Sequence, residues 1–97
     1  MADYLLSSAA KEDLIRMHHY GVHKFVMQQA DSYFNSFFEY FKIIAQRPYS
    51  FEAVEFIKPG YRRCVCGSDS MYYCINKTKN KVEIMTIIGR QDLKNMP

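Results

Sequence analysis

Residues 59–75 read PGYRRCVCGSDSMYYCI, and the way this stretch folds decides the class of the whole chain. Cys64-Val65-Cys66 sets two thiols at i and i+2, a spacing that puts both on one side of an extended strand. GSDS, residues 67–70, is turn chemistry, and MYYCIN beyond it is again rich in aromatic and thiol side chains. The stretch therefore reads as a β-hairpin. Whether Cys74 shares the face of Cys64 and Cys66 depends on whether the turn takes an odd or an even number of residues, and the sequence leaves both registers open.

The hairpin holds all three cysteines of the chain. A structural zinc site needs four ligands that converge, commonly from C-x2-4-C loops, whereas strand spacing sets Cys64 and Cys66 side by side and no fourth ligand lies near in sequence. Small-hydrophobe packing is the first reading and redox sensitivity the second. An odd number of thiols, with no basic segment leading into a long apolar run and no window near 18 uncharged apolar residues, gives the expectation of a reducing cytosol, no leader and no membrane span. Replacing the three cysteines should then leave function largely intact.

Outward from the hairpin, VEFI (54–57) and VEIMTII (82–88) are further short β-rich runs, set off by KPG and KTKNK. Four strands in succession predict an antiparallel meander from Phe51 onward. The upstream half has a different period. MQQADSYFNSFFEYFKIIAQ, residues 27–46, places Ala30, Phe34, Phe37, Phe41, Ile44 and Ala45 on one helical face, flanked by Tyr33, Phe38 and Tyr40, and Pro48 stops it. The apolar arc, roughly 160° wide at 100° per residue, exceeds what one neighbour covers, so Tyr33, Phe37, Phe38 and Tyr40 are candidates for a partner surface as well as for packing.

Before that helix, Tyr4-Leu5-Leu6 reads as a short strand and Ser7-Ser8 offers N-cap oxygens to AAKEDLIRM, with Glu12 and Asp13 near the positive end of the helix. Ala10, Leu14, Met17 and Gly21 form its small or apolar stripe, and the break is expected between Gly21 and Phe25. Residues 46–53 are the irregular crossing from helices to sheet. The class is α+β, one domain over residues 1–97: an N-terminal strand and an antiparallel two-helix hairpin packed on a small, mainly antiparallel β-sheet.

Of the formal charge of +3, none arises before Glu52, where five basic residues balance five acidic ones; from Glu52 onward eight face five. The basic excess is consistent with an acidic partner, and equally with a solvated edge at KTKNK. His19 and His23 have the i, i+4 spacing of zinc ligands without a glutamate between them, so solvated histidines near a helix end are the plainer reading. G-x-S-x-G, P-loop and H-E-x-x-H patterns are absent from the sequence. No catalytic residue, metal ligand or cofactor is assigned. Lys58, Tyr61, Arg62, Arg63 and Arg90 remain as a basic and aromatic set on neighbouring strands, suited to phosphate charge or to an acidic protein surface.

The order of these features resembles the ParE branch of the RelE/ParE toxin superfamily over residues 4–93. The resemblance is carried by A-x-x-DL (10–14), IA-x-x-P (44–48), PG-x-RR (59–63) and I-x-x-R-x-D (87–92). It implies the toxin of a type II toxin–antitoxin module, cytoplasmic, neutralised by a partly disordered, acidic antitoxin in a hetero-oligomer, with no membrane partner and no sequence-specific nucleic-acid binding of its own. ParE toxins are reported to poison DNA gyrase without acting as enzymes; RelE toxins cut mRNA on the ribosome.

Where the RelE branch carries a catalytic arginine after the hairpin turn, this chain has Ser70-Met71, and GRQDLKNMP contains no tyrosine. Only Arg90 remains of that constellation, with Tyr61 and the histidines as substitutes. The resemblance thus assigns Lys58, Tyr61, Arg62, Arg63 and Arg90 to gyrase or antitoxin contact, and leaves as alternatives an mRNA endonuclease and an antitoxin-binding protein without toxicity. The chain departs from the ParE pattern at Phe25-Val26, where a glycine is often seen before the second helix, and in the few residues after Asp92.

Overall fold

The computed structural model describes residues 3–24 and 27–89, with side chains described for 3–20 and 27–89. Seven elements follow in order: β1 (Tyr4–Leu6), α1 (Ser8–Lys24), α2 (Met27–Gln46), β2 (Glu52–Ala53), β3 (Arg62–Cys66), β4 (Asp69–Asn76) and β5 (Lys81–Ile88). They make one five-stranded sheet in the order β1-β5-β4-β3-β2, with α1 and α2 on one face. Every pairing is antiparallel except that of β1 with β5, so the N-terminal strand closes the sheet edge in parallel.

The helix stripes bury as the 3.6-residue period requires. Ala10 and Leu14 of α1, with Ala30, Phe37, Phe41, Ile44 and Ala45 of α2, are nearly inaccessible. They meet Cys64, Cys66, Met71, Tyr73, Val82, Ile84 and Ile87 from the sheet. Aromatic rings continue across the layer, Phe34 to Phe38 to Phe41 to Tyr4, with centroids 5.3–5.5 Å apart. Pro48 ends α2 as expected, and its buried carbonyl accepts a 2.6 Å hydrogen bond from Tyr73 Oη.

Three local expectations are corrected. Helix α1 runs through Gly21 and Val22 to Lys24, because one glycine in a helix costs only about 1 kcal/mol and the packed stripe outweighs it. Phe25-Val26 lies outside the described residues. VEFI is not a strand. The short edge strand lies upstream at Glu52–Ala53, and from Val54 the chain curls: Ile57 N and Lys58 N both donate to Val54 O, Tyr61 N donates to Lys58 O, and Gly60 takes φ +82°. Asp13 belongs to the second turn of α1 and serves the sheet rather than the helix terminus.

That role comes from a bulge. Tyr72 pairs with Thr86 but Tyr73 with Ile84, leaving Met85 as an extra residue in β5 and shifting the buried set from Val82 and Ile84 to Ile87. Ser7, the N-cap of α1, accepts from Ala10 N at 3.0 Å and donates to the Met85 carbonyl at 2.7 Å. Beyond the end of β1, Asp13 Oδ2 accepts from Ile87 N at 3.0 Å and Thr86 Oγ1 at 2.9 Å, while Oδ1 accepts from Arg16. The A-x-x-DL carboxylate thus takes the place of a neighbouring strand along β5. Asp13→Ala is expected to cost about 2–3 kcal/mol in urea unfolding, as for a charged hydrogen bond lost from a partly buried backbone donor; Asp13→Asn should recover a large part of it.

Candidate functional site: a basic and aromatic surface at the β2–β3 edge

The β3–β4 turn takes two residues, Gly67 and Ser68, with Gly67 at φ +62° in the first central position, as in type II′ hairpins. This even count settles the register. Cys64 lies opposite Met71 and Arg62 opposite Tyr73, so Arg62, Cys64 and Cys66 share the helix-covered face. Cys74 follows Tyr73 onto the other face. All three thiols are free; Cys64 and Cys66 are buried and Cys74 is half-buried. Among the described residues, no group of three or more His, Cys, Asp and Glu is placed to hold a metal ion.

Alternation sends the two arginines of PGYRR to opposite faces. Arg62 reaches back toward the end of α2, where Nη1 donates to Phe51 O at 2.7 Å and the guanidinium stands 5.0 Å from the Tyr49 ring. Arg63 faces away from the helices: Nε donates to Glu52 Oε1 at 2.6 Å across β2–β3, and the guanidinium lies 6.0 Å from the Tyr72 ring. The hydrogen bond to Glu52 raises the Arg63 pKa further above its ordinary value. Lys58 Nζ is 5.2 Å from the Tyr61 ring. Each cation is thus steadied by an aromatic face. Arg90 lies outside the described residues.

The α2 candidates divide. Phe37 is 1% exposed and is core, not partner surface, because its position on the stripe points it into the sheet. Tyr33 and Tyr40 flank the stripe on one side and Phe38 on the other, roughly 140–160° around the helix at 100° per residue. Tyr33 keeps 41% of its surface, but its hydroxyl donates to Asp69 Oδ2 and lies 3.2 Å from Cys66 O, pinning α2 to the hairpin tip. A Cβ at Gly67 would come within 3.0 Å of that hydroxyl, so the turn needs glycine for space as well as for φ. Burial and the Asp69 carboxylate raise the Tyr33 pKa. Tyr33→Phe is expected to lower stability by about 1–2 kcal/mol in chemical denaturation, with little change in secondary structure by circular dichroism.

His18 Nε2 is 2.7 Å from Asp31 Oδ1, joining α1 to α2 on the helical layer, away from the arginines of the sheet. His19 is exposed, and the His23 side chain lies outside the described residues. Tyr49, Phe56 and Ile57, which no sequence motif singles out, are 60%, 79% and 49% exposed around the same edge. The strand-like composition of VEFI hides the last two; the glutamate at 55, which accepts from Gly60 N at 3.0 Å, is the available sign of a closed turn.

No helix among the described residues is long and apolar enough to cross a membrane. Comparison with known proteins matches residues 4–93 to the family model of the ParE toxin of the type II toxin–antitoxin system parDE. Toxin ParE1 of Caulobacter vibrioides is 31% identical over 88 residues, covering 91% of this chain and 88% of that protein. Among solved structures, a chain of the chromosomal ParDE TA system from P. aeruginosa superposes with a TM-score of 0.79 at 16% identity, over 92% of this chain and 96% of that one. The shared strand, helical hairpin and sheet, and a family match spanning all the described elements, mean that this chain belongs to the ParE toxin family, a branch of the RelE/ParE superfamily.

Proposed function

We propose that this chain is the toxin of a type II toxin–antitoxin module that acts without catalysis, by binding DNA gyrase and leaving its DNA-cleavage complex unresolved, and that a cognate antitoxin neutralises it. The observation that carries the reading is the state of the PGYRR arginines in a ParE-family chain. They stand on opposite faces of β3, each engaged with a fixed acceptor and an aromatic ring. Cleaving RNA by general acid–base chemistry needs groups converging on one phosphate within hydrogen-bond reach of the proton that moves. Arg62 and Arg63 do not converge, and the Tyr33 and Tyr73 hydroxyls are already engaged, donating to the Asp69 carboxylate and to Pro48 O. Rigid cations on aromatic faces suit recognition of an acidic protein surface instead.

Contact with gyrase is assigned to Arg62, Arg63 and Arg90, supported by Lys58 and Tyr61. The antitoxin is assigned to the accessible flanks of α2 at Tyr33, Tyr40 and Phe38, where an amphipathic segment can lie against a helix. Purified toxin added to a gyrase supercoiling assay should inhibit it and accumulate cleaved DNA; full supercoiling at stoichiometric excess of toxin would sink the proposal. In cells, induction without antitoxin should yield long undivided cells and a DNA-damage response. Arrest of translation with cut mRNA would point to an endonuclease, and unimpaired growth to an antitoxin-binding protein without toxicity.

A further inference from the structure

The segment from Val54 to Tyr61 is closed by its own hydrogen bonds yet directs its largest apolar side chains outward. Val54, fully buried, anchors its base, and Val54 N donates to Tyr61 O at 2.9 Å where the two arms meet. Ile57 N and Lys58 N turn back onto Val54 O, Tyr61 N onto Lys58 O, and Gly60 N onto the Glu55 carboxylate. Such a loop is preorganised. At its tip Phe56 is 79% exposed and Ile57 49%. Lys58, over the Tyr61 ring, and Arg62, over Tyr49, bring two cations to the same edge.

We propose that this tip is a preformed docking element of the toxin, in which Phe56 and Ile57 enter an apolar socket on the target protein and Lys58 and Arg62 meet carboxylates at its rim. The proposal rests on the gyrase reading and adds to the residues assigned above two apolar ones, Phe56 and Ile57, beside Lys58 and Arg62. Several observations favour a protein over other occupants. A rigid aromatic anchor beside cations is the composition of an interface hot spot. The excess of positive charge complements an acidic rim. An element that inserts into a bilayer presents a broad apolar face rich in basic residues along its border, whereas this tip offers two exposed apolar side chains and two cations.

The test compares wild type with Phe56→Ala/Ile57→Ala, Lys58→Glu and, as a control on α2, Ile43→Ala in a supercoiling assay with purified gyrase. Melting temperatures should agree within a few degrees, since all the replaced side chains are exposed. The double variant is expected to need about 30-fold more toxin for half-inhibition, and Lys58→Glu about 10-fold more; Ile43→Ala should match wild type. Wild type that inhibits, with a double variant that inhibits equally well, overturns the docking tip and leaves the gyrase reading standing. Wild type that fails to inhibit overturns both. Binding of wild type to vesicles of phosphatidylserine and phosphatidylcholine, or to a single-stranded oligonucleotide, overturns the proposal if the double variant abolishes it, because the tip would then serve lipid or nucleic acid.

Discussion

Phe41→Ala is expected to remove about 3–5 kcal/mol of folding stability, the usual cost of deleting a fully buried phenylalanine. Phe41 is wholly inaccessible, with the Tyr4 ring at 5.4 Å and the Phe38 ring at 5.5 Å. It joins α2 to β1 within the core, so neither layer can collapse into the space its ring leaves. A domain of this size has about 5–15 kcal/mol in all, at about 0.05–0.15 kcal/mol per residue, so the substitution removes a large share. The measurement is guanidinium unfolding of both proteins: the midpoint should fall while the slope stays constant. A loss under about 1 kcal/mol would show that the two layers do not share this core. Phe34→Ala, at a half-buried position on the rim of the stripe, should cost distinctly less.

Raising the pH from 8 to 12 should cost at least about 3–5 kcal/mol from two buried groups alone, at about 1.4 kcal/mol for each tenfold difference in proton affinity between the folded and unfolded chain. Burial pushes the Tyr73 hydroxyl from 10.0 up to about 12, and burial with the neighbouring Cys66 pushes the Cys64 thiol from 9.0 up to about 11. Both groups lose protons more readily when unfolded. Their contribution is therefore fully present below the unfolded values, about 9 for Cys64 and 10 for Tyr73, and is lost as pH rises through the folded ones. Urea unfolding at intervals of pH should show a plateau to about 8.5 and a steep fall beyond it. Tyr73→Phe and Cys64→Ala, less stable at neutral pH, should each have a shallower alkaline limb; an unchanged limb in both would refute the assignment. Thiol labelling supplies a parallel check: Cys64 and Cys66 should resist alkylation until the protein is unfolded, because the thiolate is scarce and inaccessible.

Much of the architecture is legible in the sequence because the governing signals are periodic and local. The 27–46 helix shows its buried stripe by spacing, and Pro48 stops it without tertiary help. The hairpin of residues 62–76 announces itself by β-rich runs around a turn. The basic–aromatic set is visible as composition, but its arrangement is not. Alternation along β3 divides Arg62 from Arg63, and the same stripe that makes Phe37 attractive as a partner residue carries it into the core. Phe56 and Ile57 escape the sequence because four apolar-rich residues look alike in a strand and in a curled loop; only the Val54–Tyr61 closure distinguishes the two.

By itself the sequence determined the class, the helix extents to within a few residues, the hairpin and the family, since helical period, proline, turn chemistry and short motifs act over a few neighbouring residues. Tertiary structure decided the rest: the parallel seat of β1 on β5, the bulge at Met85 held by Ser7 and Asp13, the register that separates Cys74 from Cys64, and the exposure of the 54–61 tip. Each depends on a contact between residues distant along the chain, or on which of two faces is covered, and neither is written in the local pattern of side chains.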